Sequence, residues 1–86
     1  MKLIKNIQFT KLIKANGRLK EFNFRKVNGQ EGLFTVDVVD ERDNRVFFTL
    51  QKIDNHWRLS NQPLPAWVIE NENIYHELIE EELKLV

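Results

Sequence analysis

Gly32–Leu50, GLFTVDVVDERDNRVFFTL, decides how this chain folds. Two runs of β-branched and aromatic residues flank a polar segment, the pattern of two strands joined by a tight turn. A three-residue loop Arg42-Asp43-Asn44 sets Asp40 opposite Val46, Val38 opposite Phe48 and Val36 opposite Leu50. Alternation then gathers Phe34, Val36, Val38, Val46, Phe48 and Leu50 on one face, with Thr35, Asp37, Thr49 and Gln51 on the other. A two-residue loop would slip one strand by a residue and mix the two sets. The three-residue loop needs a left-handed residue at its end, a conformation Asn44 tolerates.

Upstream, Asn16-Gly17 is the strongest short hairpin signal, because both central residues of a type I′ turn need positive φ. A two-residue loop there pairs Phe9 with Phe24, Lys11 with Phe22 and Ile13 with Lys20. Ile7, Phe9, Ile13, Phe22 and Phe24 then share a face, while Gln8, Thr10, Asn23 and Arg25 take the opposite one. A helix over Leu3 to Ile13 would leave that pairing unexplained. The connection VNGQEG must hold an odd number of residues, or a bulge, to keep Phe24 and Phe34 on one face. Downstream, a two-residue turn at Asp54-Asn55 pairs Leu50 with Leu59 and Lys52 with Trp57, adding Trp57 and Leu59 to the same apolar face.

After Ser60 the pattern changes. Pro63 and Pro65 cannot continue a ladder, and Pro65 suits the first turn of a helix. Trp67, Ile74, Leu78 and Leu85, flanked by Tyr75 and Ile79, recur at helical spacing. The pattern predicts a C-terminal helix over about 66–84, or a short segment at Trp67–Ile69 followed by a helix capped at Asn71. Glu80, Glu81 and Glu82 oppose the dipole at its end, which predicts fraying there.

The expected fold is therefore α+β: a strongly curved five-stranded antiparallel β-meander over about 5–60, a proline-containing connection at 61–65, and one C-terminal helix on its apolar face. One helix is about 10 Å wide, whereas five flat strands span roughly 20 Å. The sheet must curl around the helix, or another molecule must cover part of the face, with dimerisation as the second choice.

The 86 residues suit one domain, and the absence of cysteine removes disulfides and thiolate chemistry. The start carries interspersed lysines in place of an apolar signal core, and no stretch reaches the ~20 apolar residues of a membrane span. A soluble cytoplasmic domain without membrane attachment is expected. The net charge is zero but uneven: +7 over residues 1–30, −2 over 31–58 and −5 over 59–86. The simpler reading is that the acidic end packs near the basic end; the other is an anionic partner.

Three groups of residues could carry chemistry. Glu72, His76 and Glu80 lie on one helical stripe, a spacing compatible with zinc but short of a second cluster for further ligands. His56 adjoins the Asp54-Asn55 turn, with no nucleophile placed beside it. The glycines lie in turns and form no phosphate-cradling loop. No enzyme, metal or cofactor is expected. A small ligand between sheet and helix would require a cavity that the large side chains fill.

The solvent face of the sheet is the candidate interaction surface, with Asn23, Arg25, Asp37, Phe47, Thr49 and Arg58 as its named members. Its alternative is an ordinary polar sheet face. The expected function is a small non-enzymatic interaction domain that binds another protein or itself. A nucleic-acid-associated protein, using Lys2, Lys5, Lys11, Lys14, Arg18, Lys20, Arg25 and Lys26, is the second reading. It lacks exposed aromatics for base stacking on the basic hairpin.

Overall fold

The structure, a computed structural model, describes residues 7–85. Lys2, Lys5 and the start of the predicted meander before residue 7 lie outside the described residues. Five strands follow one another in space as in sequence: β1 (Gln8–Ala15), β2 (Arg18–Lys26), β3 (Leu33–Val39), β4 (Arg45–Ile53) and β5 (His56–Leu59). All neighbours are antiparallel, and the sheet curls into a half-barrel. Two helices, α1 (Ala66–Ile69) and α2 (Glu72–Lys84), complete the α+β fold.

The first hairpin forms as its turn dictates. Asn16 and Gly17 both have positive φ, and Phe9 pairs with Phe24, Lys11 with Phe22 and Ile13 with Lys20. Asp54 and Asn55 likewise close β4 onto β5, with Leu50 opposite Leu59 and Lys52 opposite Trp57. Between β2 and β3 the bond from Val27 N to Leu33 O leaves an odd-numbered loop, so Phe24 and Phe34 remain on one face. Gly32 ends that loop at φ +70°, where a Cβ would sit 3.2 Å from Lys52 Cβ.

The central hairpin departs from its expected register by two residues. Val38 faces Val46, Val36 faces Phe48 and Phe34 faces Leu50. The three-residue loop is Glu41-Arg42-Asp43, and its left-handed residue is Asp43, not Asn44. Asp40 N donates to Asn44 O, and Asp43 N donates to Asp40 O. The Asp40 carboxylate fixes this choice by accepting from Arg42 N at 2.8 Å and Asn44 N at 2.9 Å. Such side-chain capping of a turn is a habit of aspartate. A slip of two leaves every side chain on its predicted face.

The concave face carries the core: Ile13, Phe22, Phe24, Phe34, Val36, Val38, Phe48, Leu50 and Trp57 are buried against Val68, Tyr75 and Ile79. The C-terminal helix is broken, as the two-segment reading has it. Asn71 leaves the helical conformation at φ −99°, ψ 16°, and its side chain donates to Trp67 O at the end of α1. Tyr75 and Ile79 point inward in place of the predicted Ile74 and Leu85, which are exposed. Tyr75 stands among Phe22, Phe24 and Phe48, with ring centroids 5.3–6.2 Å away. Its hydroxyl donates to Val68 O at 2.9 Å, so a buried donor is satisfied and α1 is tied to α2. Burial pushes the phenol well above the ordinary tyrosine range.

The expected fraying of the acidic helix end is countered by cross-links. The helix runs to Lys84, with Glu82 3.7 Å from Lys11 and Glu80 3.6 Å from Lys52. The Lys11–Glu82 pair joins the basic start of the chain to its acidic end. Lys20 of the same hairpin, 9 % exposed, places its ammonium 2.6 Å from Glu41 in the β3–β4 turn and over the Trp67 ring of α1.

Candidate functional site

The convex face holds the predicted interaction residues in three separate settings. Thr10 Oγ1 donates to Asn23 Oδ1 at 2.7 Å, and Asn23 Nδ2 donates to Asp37 Oδ1 at 2.9 Å. Arg45 Nη1 donates to the same Asp37 oxygen at 2.6 Å, while Arg25 lies 3.8 Å from the other oxygen. Thus Asn23 and Asp37 belong to one hydrogen-bonded row across β1 to β4, completed by Arg45, which the sequence pattern did not single out, and Arg25 joins it only as a longer ion pair. Asp37 is only 5 % exposed although it points away from the core. This carboxylate is consumed by its neighbours. Asp37→Ala is expected to cost about 1–3 kcal/mol in urea unfolding, because Asn23 and Arg45 lose their acceptor while both arginines can turn to water.

Phe47 sits opposite Asp37 and remains 62 % exposed. Thr49 is elsewhere engaged: its N–H donates to Gln62 Oε1 at 3.1 Å and its hydroxyl to Ser60 Oγ at 2.6 Å. These bonds continue the ladder where β5 has ended, with the Gln62 side chain standing in for a strand carbonyl. Arg58 pairs with Gln51 and is exposed, apart from the Asp37 row. The six residues therefore do not converge on one spot.

Glu72, His76 and Glu80 do converge, and on β5. In the two-residue hairpin, Ile53 and His56 close the ladder, so the N–H groups of Trp57 and Leu59 point to the outer edge. Leu59 N donates to Glu72 Oε2 at 2.7 Å, and Trp57 N donates to His76 Nδ1 at 3.0 Å. The Trp57 indole N–H donates to Glu80 Oε2 at 2.9 Å. The helical stripe that resembled a metal site is a clasp on a sheet edge. Among the described residues, no group of three or more His, Cys, Asp or Glu side chains is placed to hold a metal ion. His56 stacks flat on His76, with ring centroids 3.9 Å apart. The space between Trp57 and the helix is filled, with Trp57 2 % exposed. A shallow hollow of about 290 Å³ lies instead at the end of β5, between Leu59, Gln62, Leu64, Ile69 and Glu72.

The other edge strand is treated differently. β1 bonds to β2 through its odd-numbered residues, as the bond from Lys26 N to Ile7 O marks, so Gln8, Thr10, Leu12 and Lys14 turn their backbone groups outward. Among the described residues, only Lys14 O in that row receives a hydrogen bond, from Asn71 Nδ2 at 3.5 Å. One edge of the sheet is clasped and the other is open. The sequence signal for the clasp was the i, i+4, i+8 spacing; the signal for the open edge is its absence from any such pattern.

Two carboxyls are held below the usual carboxylate range. The hydrogen bond from Lys20 lowers Glu41, and the hydrogen bond from the Trp57 indole lowers Glu80, with the Lys52 charge adding to it. A carboxylate whose folded pKa is depressed stabilises the fold above its unfolded pKa, about 4.3, and loses that contribution as pH falls through the folded value. Urea midpoints are therefore expected to be flat near neutrality and to decline below about pH 5. Glu41→Gln combined with Glu80→Gln is expected to make that decline shallower.

No family model, curated protein or solved structure matches this chain. No described helix is long and apolar enough to cross a membrane.

Proposed function

We propose that this domain is a non-enzymatic interaction module that receives an extended segment of another protein as a sixth strand beside β1. The observation that carries the reading is the asymmetry of the two sheet edges. An exposed edge is a template for unwanted pairing, and proteins normally blunt it. Here α2 spends Glu72 and His76 on closing β5, while Gln8, Thr10 and Leu12 keep an unclasped backbone row on β1. Strand addition draws affinity from main-chain hydrogen bonds and selectivity from the alternating side chains.

A nucleic-acid partner is supported less. The phenylalanines of β1 and β2 lie on the concave side and offer no stacking platform on the convex face, and Lys20 is already paired with Glu41. Displayed random heptapeptides selected on the folded domain test the reading against a Leu12→Pro variant. Proline at an outward-facing position removes an edge donor without breaking a β1–β2 bond. Selected peptides are expected to bind the parent and to lose at least about tenfold on the variant. Binders indifferent to Leu12→Pro would overturn strand addition at β1. Steeply salt-dependent binding of oligonucleotides, with no peptide selected, would favour the nucleic-acid reading.

A further inference from the structure

The chemistry of the segment that β1 would accept can be read from what flanks its open edge. The side of α2 that faces β1 is marked by Asn71, which reaches Lys14 O, and by Glu82, which reaches Lys11. Residues between and beyond them on the same stripe are Ile74, Leu78 and Leu85, at the i, i+3 and i+4 steps that share a helix face. Ile74 and Leu85 are exposed, Leu85 at 75 %, and Leu78 is half-buried. On the concave side of β1 stands Phe9, half-buried and stacked on Phe24 at 4.7 Å. The open backbone row thus runs beside an apolar helix flank.

Charge adds a second, independent constraint. Lys14 and the adjoining hairpin residue Arg18 are exposed and enter no ion pair among the described residues. Lys11 holds Glu82 only loosely, at 3.7 Å, with its side chain 37 % exposed. Glu21, exposed opposite Leu12, is the one acid of β1 and β2, so the edge keeps an excess of basic side chains.

We infer that the occupant is an acidic extended peptide with an apolar residue seated against Phe9 and a carboxylate two positions away, against Lys11. Residues of an added strand alternate between faces. Those opposite Phe9 and Lys11 turn to the concave side, where Leu78 and Leu85 cover the apolar one and the Lys11 ammonium meets the acidic one. Those opposite Gln8, Thr10 and Leu12 turn to the convex side. A further carboxylate facing Lys14 extends the match. Asn71 bounds the site at the Lys14 end. This inference rests on strand addition at β1 and adds the partner's chemistry to it.

The test uses two amidated and acetylated heptapeptides, Glu-Val-Thr-Glu-Thr-Leu-Thr and the same sequence with both glutamates replaced by lysine. Both are titrated into the isotopically labelled domain, with amide shifts and amide exchange as readouts. The acidic peptide is expected to shift Gln8, Thr10, Leu12, Leu78 and Leu85, to slow exchange at Thr10 and Leu12, and to bind at least about tenfold more tightly than the lysine peptide. Lys11→Glu is expected to reverse that preference while leaving the amide spectrum of the core unchanged. Equal binding of the two peptides at β1 would overturn the acidic assignment and leave strand addition standing. Shifts confined to Phe47 and the Asp37 row, or no binding of either peptide at low millimolar concentration, would overturn the inference. A free domain already dimeric, with Thr10 and Leu12 protected before any peptide is added, would also overturn it, by making a second copy the occupant.

Discussion

Tyr75→Ala is expected to lower the unfolding free energy by about 3–5 kcal/mol, the usual loss when a buried aromatic is truncated. The ring is fully buried and touches Phe22, Phe24 and Phe48 on three different interactions of the trough. Removing it opens a cavity between helix and sheet, where the curled sheet cannot close without losing its strand pairing. The hydroxyl adds a smaller, separable part. Tyr75→Phe keeps the packing but removes one of the two donors to Val68 O, which keeps the Asn71 N–H, and is expected to cost about 0.5–1.5 kcal/mol. Domains of this size are stable by about 5–10 kcal/mol. The alanine variant should therefore populate unfolded chain at ambient temperature, and the phenylalanine variant should not. Urea unfolding followed by tryptophan fluorescence measures both, since Trp57 is buried beside Phe34. Equal costs for the two variants would contradict the central placement of the ring.

The second large effect concerns the clasped edge. Replacing Glu72, His76 and Glu80 together by alanine removes the acceptors of Leu59 N, Trp57 N and the Trp57 indole. Each such bond contributes about 0.5–3 kcal/mol, and because the three share one helix face their losses are not additive. A combined loss of about 2–5 kcal/mol is expected. The qualitative outcome is the sharper test. With β5 unclasped, both sheet edges are open, and the variant is expected to associate in a concentration-dependent way that the parent does not match. Sedimentation of the two proteins at the same concentrations checks this. A triple variant with unchanged stability and unchanged mass would show that the contacts do no more than decorate the helix. Added zinc is expected to leave the parent's unfolding midpoint where it is, because the three side chains are already committed to β5.

The strand pattern and the faces of the sheet were legible because they depend on neighbours in sequence. Asn16-Gly17 and Asp54-Asn55 specify their turns through backbone conformation alone, so the outer hairpins pair as expected. The central hairpin slipped by two because registers that differ by two preserve every face, and the hydrophobic pattern cannot tell them apart. A local signal existed in Asp40, whose carboxylate caps the turn one residue earlier than Asn44 would have it. The candidate interaction face was legible as a set of outward positions, but not as a site. Its members satisfy one another across adjacent strands, as Asp37 does with Asn23 and Arg45, and alternation fixes the face of a side chain but not its partner.

Gly32–Leu50 and its neighbours carry alternation, turn chemistry and apolar content, which are local properties, and these set the meander, its greasy face and the presence of a C-terminal helix. The rotation of that helix was decided in three dimensions. Trp67, Ile74, Leu78 and Leu85 make as regular a stripe as Val68, Tyr75 and Ile79 do. The second set turned inward because the Tyr75 hydroxyl found Val68 O and the free N–H groups of β5 found Glu72 and His76. Buried polar groups must be paired, and that requirement links positions that no periodicity connects. The same rotation left Ile74 and Leu85 exposed.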